Sequence, residues 1–174
     1  LLAEAGWADH DGDGWLDKGG RRFSFEMMIP GGTPGDFWDQ LSTVYQEDLR
    51  KVGIEMTIRP LEWTVFVKNL DERNFDCCCL GWGTALDSEP YQIWHSSQWE
   101  HKGSNLVGFA DPEADRLMEE ARRTLDRAKR NQMYRRVHQI IHDAQPYTFI
   151  GTSPHLRVLD RRFAGVVLHP YELD

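Results

Sequence analysis

Residues 75–83 read Phe75-Asp76-Cys77-Cys78-Cys79-Leu80-Gly81-Trp82-Gly83, an apolar run followed by a tryptophan held between two glycines. A continuous apolar run suits a strand whose sheet is covered on both faces. It spills into a loop crowded with Asp87, Glu89, Tyr91, Trp94, His95, Trp99, His101, Ser104 and Asn105, before Asp111-Pro112 opens a helix. In open α/β sheets ligands sit in crevices outside the carboxyl ends of strands. Long loops inside compact domains are usually functional. The strand end and its loop therefore read as a wall that grips a ligand.

The segments before it alternate strand and helix. Phe23-Ser24-Phe25-Glu26-Met27-Met28-Ile29 reads as a strand closed by Pro30-Gly31-Gly32. Thr33 is the expected N-cap of a helix with Pro34 in its first turn. Its apolar face is Phe37, Leu41, Val44, Tyr45 and Leu49, and Gly53 stops it. Residues 54–60 alternate with Ile54, Met56 and Ile58 inward, which predicts a strand, and Trp63, Phe66, Val67 and Leu70 mark a short helix. Beyond the loop, Leu117, Ala121 and Leu125 stripe one helix. Asp126 caps a second, whose face is Tyr134, Val137, Ile141 and Ala144 and which Gln145-Pro146 ends. Residues 147–151 and 156–159 read as late strands. The alternation predicts one α/β lobe over 1–174, with a mixed or mainly parallel sheet flanked by helices.

At 174 residues the chain is long enough to bury a core. Its net charge of -8 and pI near 5.3 exclude the basic footprint that nucleic acid requires. The arginines between Arg116 and Arg136 alternate with Glu119, Glu120 and Asp126, the pattern of a solvated helix face with i,i+4 pairs. No apolar run reaches the length of a membrane span. The three cysteines are consecutive; neighbours on a strand point to opposite faces, so they read as small buried hydrophobes rather than as a disulfide framework or a tetrahedral metal site.

Near the start, Asp9-His10-Asp11-Gly12-Asp13-Gly14-Trp15-Leu16-Asp17 matches the first nine positions of a calcium loop, with Gly14 at the sharp turn. The twelfth position, where a bidentate glutamate would close the shell, is Gly20. Two readings stay open: structural calcium at Asp9, Asp11, Asp13 and Asp17, or an Asx- and Gly-rich turn with no cofactor. Leu1-Leu2-Ala3-Glu4-Ala5-Gly6-Trp7 reads as a helix end closed by Gly6, from which a fragment of a longer protein is expected.

Taken in order, residues 1–7, the Asp-Gly-Asp-Gly loop, residues 53–63, Leu70-Asp71-Glu72-Arg73-Asn74-Phe75-Asp76, Gly81-Trp82-Gly83, residues 104–115 and Gln145-Pro146-Tyr147 resemble the family 5 extracellular solute-binding proteins of peptide- and nickel-type ABC importers. The resemblance covers nearly the whole chain. It implies a periplasmic-binding-protein type II-like lobe and a two-lobed protein, periplasmic or lipid-anchored outside the cell. Such a protein closes on peptides or similar small solutes and delivers them to the permease subunits. This chain looks like most of the C-terminal lobe, with Phe163-Ala164-Gly165-Val166 near the return to the other lobe; the signal peptide and half the cleft lie elsewhere. In the family's peptide binders the main chain at Gly-Trp and the next residue pairs with the peptide, a role that carries over to Trp82 and Gly83. An aspartate three residues past that tryptophan anchors the peptide's amino terminus. Here that position is Ala85, and the first acid is Asp87.

The expected ligand-binding residues are Trp82, Gly83, Asp87, Trp94 and Asn105. Each aromatic or amide has a plainer alternative: Trp82 as a plug at the sheet edge, Trp94 with Tyr91 as core of a short helix, Asn105 as a loop-fixing amide. His95 reads as a satisfied imidazole. A hydrolase built from Cys78 or Ser96 with His95 and Asp87 is the rival class. No nucleophile elbow, zinc pair or phosphate loop supports it, so no enzyme activity is expected.

Overall fold

The computed structural model describes residues 1–32, 35–83, 89–100, 102–152, 158 and 160–162. They fall into two compact units, Leu1–Gly83 and Thr84–Asp174.

The first unit opens on a helical turn that Gly6, at φ +82°, terminates. After the aspartate loop, β1 (Asp17–Lys18) and β2 (Arg21–Arg22) form a small antiparallel ribbon. The main sheet is built from β3 (Ser24–Pro30), β4 (Glu55–Leu61) and β5 (Cys77–Cys78), joined by α1 (Phe37–Lys51) and α2 (Trp63–Glu72). Strand order is β4-β3-β5, and both pairings are parallel. Met27, Met28 and Ile29 are buried in succession on the central strand, which requires cover on both faces. The connectivity supplies it. Right-handed crossovers that run in opposite directions along the sheet, from β3 to β4 and then from β4 past β3 to β5, put their helices on opposite sides of it. Met27, Ile29, Met56 and Cys79 form one buried cluster with Trp38, Leu41 and Leu49 of α1 packed against it. Pro60, which lacks an N–H, is accommodated because β4 is a sheet edge.

Local boundaries differ from the sequence expectation for identifiable reasons. Thr33 and Pro34 lie outside the described residues; the cap of α1 is Asp36, whose carboxylate accepts the Asp39 N–H at 3.0 Å. Gly35, at φ +81°, keeps the helix from starting earlier. The buried face of α1 is turned by one position: Trp38, Leu41, Ser42 and Leu49 face the sheet while Phe37 and Val44 are exposed. The strand expected over 75–80 is confined to Cys77–Cys78, since the Asp76 carboxylate takes the Glu26 N–H at 3.0 Å where a strand carbonyl would sit.

The second unit contains a single-turn helix α3 (Tyr91–Trp94), a 3-10 turn at Ser96–Gln98, then α4 (Pro112–Arg123) and α5 (Arg127–Ala144). Asp111 caps α4 by accepting the Ala114 N–H, and Asp126 caps α5 through the N–H groups of Ala128 and Lys129. The two long helices bury Ala114, Met118, Val137, Ile140 and Ile141 together with Phe109. Arg136 forks onto both oxygens of Glu113 at 2.9 and 2.8 Å across the pair. Leu125 is not part of the stripe: α4 ends at Arg123, Thr124 is extended, and Leu125 is 96% exposed. Ala144 is exposed too, and Ile140 takes its place inside.

The late strand expected over 147–151 is absent, as no partner strand lies beside it among the described residues; Tyr147 and Phe149 instead pack their rings on Trp94. Of the strand expected over 156–159, only Val158 is described, and it is exposed. No helix among the described residues is long and apolar enough to cross a membrane.

Asn105 ties the loop of this unit together. It is fully buried; its Nδ2 donates to the carbonyls of Phe109 (2.7 Å) and His95 (3.2 Å), and its Oδ1 accepts the Phe109 N–H at 3.0 Å. Asn105→Ala removes the bonds to both peptide groups of Phe109 and should lower unfolding stability by on the order of 3 kcal/mol. In the first unit, Phe66→Ala empties a fully buried site between α2 and the sheet and should cost about 3–5 kcal/mol. Leu125→Ala should stay within about 0.5 kcal/mol of the parent. Urea denaturation of the full-length variants measures all three; a Leu125 effect as large as that of Phe66 would contradict the burial described.

Candidate ligand-binding site

Three parallel strands end at one edge of the first unit, and the residues just beyond each end are chemically distinctive. After β3 come Gly31 and Gly32; a Cβ on Gly31 would sit 2.9 Å from the Leu61 carbonyl oxygen, so only glycine allows β4 to approach this closely. After β4 come Glu62 and Trp63. Glu62 caps α2, and the Thr64 N–H, the largest of several contributions, holds its carboxyl below the usual range. Trp63 stacks on the buried Phe66, with centroids 5.7 Å apart and planes at 17°, yet stays 55% exposed. After β5 come Gly81, Trp82 and Gly83. Trp82 is 39% exposed, and a Cβ on Gly83 would meet nothing, so its backbone stands open to an approaching group.

The strand order makes this edge a topological switch point. β4 lies on one side of β3 and β5 on the other, so the connections depart in opposite directions and leave a crevice between the carboxyl ends of β3 and β5. Trp82 and Gly83 lie beyond one of those two ends. The sequence pattern groups Trp63 with the apolar face of its helix; its position two residues past the end of β4 is the signal that separates it from Phe66 and Leu70.

The remaining expected residues belong to the second unit or lie outside the described residues, as Asp87 does. Trp94 meets Phe109 edge-on at 5.9 Å and contacts Tyr147 at 4.6 Å, and Asn105 bonds the same Phe109, so the structure brings these two together around one aromatic core. His95 is buried beside them. Its ring stacks on Tyr91 at 4.1 Å, and its Nδ1 lies 2.8 Å from Ser97 Oγ.

The groups considered as nucleophiles are not set up as such. Ser96 Oγ donates to Asp115 Oδ2 at 2.5 Å, and the imidazole nitrogen contacts Ser97 instead. Cys78 belongs to the first unit, and burial, helped by its neighbouring thiols, pushes its thiol up to about 12, leaving almost no thiolate at neutral pH. Burial likewise raises Cys77 and Cys79.

In the aspartate loop, Asp9, Asp11 and Asp13 each bring a carboxylate oxygen within 4.8 Å of the others. Asp9 also accepts the N–H groups of Gly12 and Gly14, Asp13 pairs with Arg22, and Asp17 is turned to His10. Three carboxylates fall short of the six or more oxygens calcium takes, so backbone carbonyls or water would have to complete a shell.

Comparison with known proteins adds the family. The profile of the bacterial extracellular solute-binding proteins, family 5 Middle, matches residues 1–104. Oligopeptide-binding protein AppA of Bacillus subtilis is 37% identical over 172 residues, 98% of this chain and 31% of that protein. Protein XP55 of Streptomyces lividans is 27% identical over 95% of this chain and 30% of its own length. The chain thus spans about a third of the curated relatives it matches. Among solved structures, Bacillus subtilis AppA in complex with a nonapeptide superposes with a TM-score of 0.77 at 39% identity, covering 84% of this chain and 29% of that one. An oligopeptide-binding protein from Thermus thermophilus shares the fold at a TM-score of 0.72 and 24% identity, over 83% of this chain and 27% of its own. The chain belongs to the bacterial extracellular solute-binding proteins of family 5.

Proposed function

We infer that the protein to which this chain belongs is the solute-binding component of an ABC importer, taking up peptides outside the membrane and delivering them to permease subunits. In this reading the chain is one α/β lobe of a two-lobed trap, periplasmic or extracellular, that binds without transforming its ligand. The observation that carries it is the switch-point edge, where Trp82 offers an aromatic face and Gly83 an open peptide group in a chain similar to a protein solved with a nonapeptide. Extended peptides are recognised through main-chain hydrogen bonds, with side chains taken up by adjacent apolar surfaces. Gly83 suits the first role; Trp82 and Trp63 suit the second. Asp87 is the acid assigned to meet a cationic group, and Trp94 and Asn105 serve by fixing the segment from His95 to Phe109. Serine and thiol groups already committed to carboxylate bonding or burial agree with binding rather than catalysis.

The test is calorimetry on the full-length protein with short peptides and with amino-terminally blocked versions of the same peptides. Trp82→Ala should weaken binding by about 2 kcal/mol or more, as truncation of a buried aromatic anchor does. Asp87→Asn should weaken the free peptide and leave the blocked one unchanged, because a carboxylate buried by a closing cleft gains from a cationic partner only. Unchanged affinity in Trp82→Ala would remove the cleft from this edge. For the aspartate loop the reading is a turn that satisfies itself and holds calcium weakly at Asp9, Asp11 and Asp13. Millimolar calcium should then raise the melting temperature of the parent but not of an Asp11→Asn, Asp13→Asn variant, and an equal response of both would leave only the turn.

A further inference from the structure

The first turn of α1 belongs to the same edge as the strand ends. α1 leaves the sheet after β3, and the carboxylate of its cap, Asp36, lies so near Gly32 that a Cβ there would sit 2.7 Å from Oδ2. Phe37 is the first residue of the helix and is 57% exposed. Singly exposed apolar residues are common on protein surfaces, and Val44 on the same helix is one. What sets Phe37 apart is its place. Its ring meets Trp38 nearly edge-on, with centroids 5.1 Å apart and planes at 71°. Trp38 in turn packs on the buried cluster of Met27, Ile29, Met56 and Cys79, and a Cβ on Gly81 would lie 3.8 Å from its ring. The indole therefore reaches from α1 across β3 to the segment leaving β5. It closes one face of the crevice between those two strand ends, and Phe37 stands at its rim.

We propose, resting on the peptide-binding reading above, that Phe37 is a specificity-determining residue of the cleft. It takes up an aromatic or branched aliphatic side chain at one position of the bound peptide. Successive side chains of an extended peptide point to opposite sides. An apolar surface at a fixed distance from the group that pairs with the peptide backbone therefore meets one side chain and not its neighbours. Gly83 supplies the pairing group and Trp82 one apolar surface, while Phe37 with Trp38 supplies another from α1.

The rim is held in advance. Asp36 accepts the Asp39 N–H at 3.0 Å and Asp39 accepts the Gly35 N–H at 2.8 Å, so two carboxylates close the turn that carries Phe37. The contact with Trp38 restricts the Phe37 ring before a ligand arrives, which lowers the ordering cost of binding. Gly32, Gly35, Gly81 and Gly83 bring no side chain of their own to this edge. Among the described residues nothing lies within 4 Å of a Cβ built on Gly35 or Gly83. Room thus remains beside the two exposed rings for a side chain of the ligand.

Calorimetry on the full-length protein tests the assignment, with an all-alanine peptide and a set carrying one phenylalanine at each position in turn. The parent should prefer phenylalanine to alanine at one position through Phe37. Phe37→Ala, at an exposed site that does not endanger folding, should weaken that peptide by about three- to tenfold, as loss of an aromatic pair does, and leave the all-alanine peptide unchanged. Phe37→Tyr keeps the ring and should keep the preference. Val44→Ala, further along the exposed side of α1, should bind every peptide like the parent. An equal loss for all peptides in Phe37→Ala, no loss for any, or the same selective loss in Val44→Ala would each overturn the proposal. Trp82→Ala reads the underlying site separately. If it weakens binding while Phe37→Ala changes nothing, the cleft lies at this edge without Phe37. If neither variant changes any affinity, the cleft is not at this edge and the role of Phe37 falls with it.

Discussion

β3 is hydrogen-bonded in parallel on both sides, to β4 along its whole length and to β5 at Met27 and Met28. Parallel neighbours cannot be joined by tight turns, so each connection has to cross the sheet, and here each crossing is a helix. Because one connection departs toward β4 and the next returns past β3 to β5, the helices cover opposite faces, and the central strand becomes the most deeply buried segment of its unit. The same arrangement brings three carboxyl strand ends to one edge. The close approach of β4 at Gly31, the exposed Trp63 and the Trp82–Gly83 pair all depend on where those ends fall.

Binding and catalysis ask different things of polar side chains, and the described serine and thiol groups considered as nucleophiles are engaged otherwise. A nucleophile needs a free hydroxyl or thiolate within reach of a base. Ser96 is bonded to a carboxylate, the imidazole beside it contacts Ser97, and partial burial pushes the Cys78 thiol up to about 12. The loop of the second unit instead spends its polar atoms on its own backbone. Asn105 alone makes three bonds that close the path from His95 to Phe109, and capping by Asp111 and Asp126 starts the two long helices. A loop that is satisfied internally can hold aromatic side chains such as Trp94 in place without regular secondary structure around them.

Periodicity and capping chemistry are short-range properties, and they were legible in the chain. Asp111-Pro112 and Asp126 begin helices, Gly53 lies just past the end of one, and Ile54, Met56 and Ile58 alternate inward as the pattern predicts. The ordered set of family-like segments led to the correct family. The arginines of α4 and α5 do pair with glutamates, Arg116 with Glu120 and Arg136 with Glu113, as a solvated helix face should.

Other features were set by groups distant in sequence. Asp76 shortens its strand by bonding the backbone of Glu26, fifty positions away. Packing against Met27, Ile29 and Met56 of the sheet decides that α1 buries Trp38 with Leu41 and Leu49 while Phe37 and Val44 stay exposed. Trp63 and Phe66 are both apolar residues of one short helix, and only the packing of that helix on the sheet buries one and exposes the other. His95 shows the same limit: its partners, Asp115 and Glu119, come within reach through the docking of α4 beside α3. The sequence by itself determined which segments could be helix or strand, since that depends on neighbours a few residues apart. Which of their side chains face solvent, one another or a ligand was decided only by tertiary structure, since that depends on surfaces the chain assembles from remote parts.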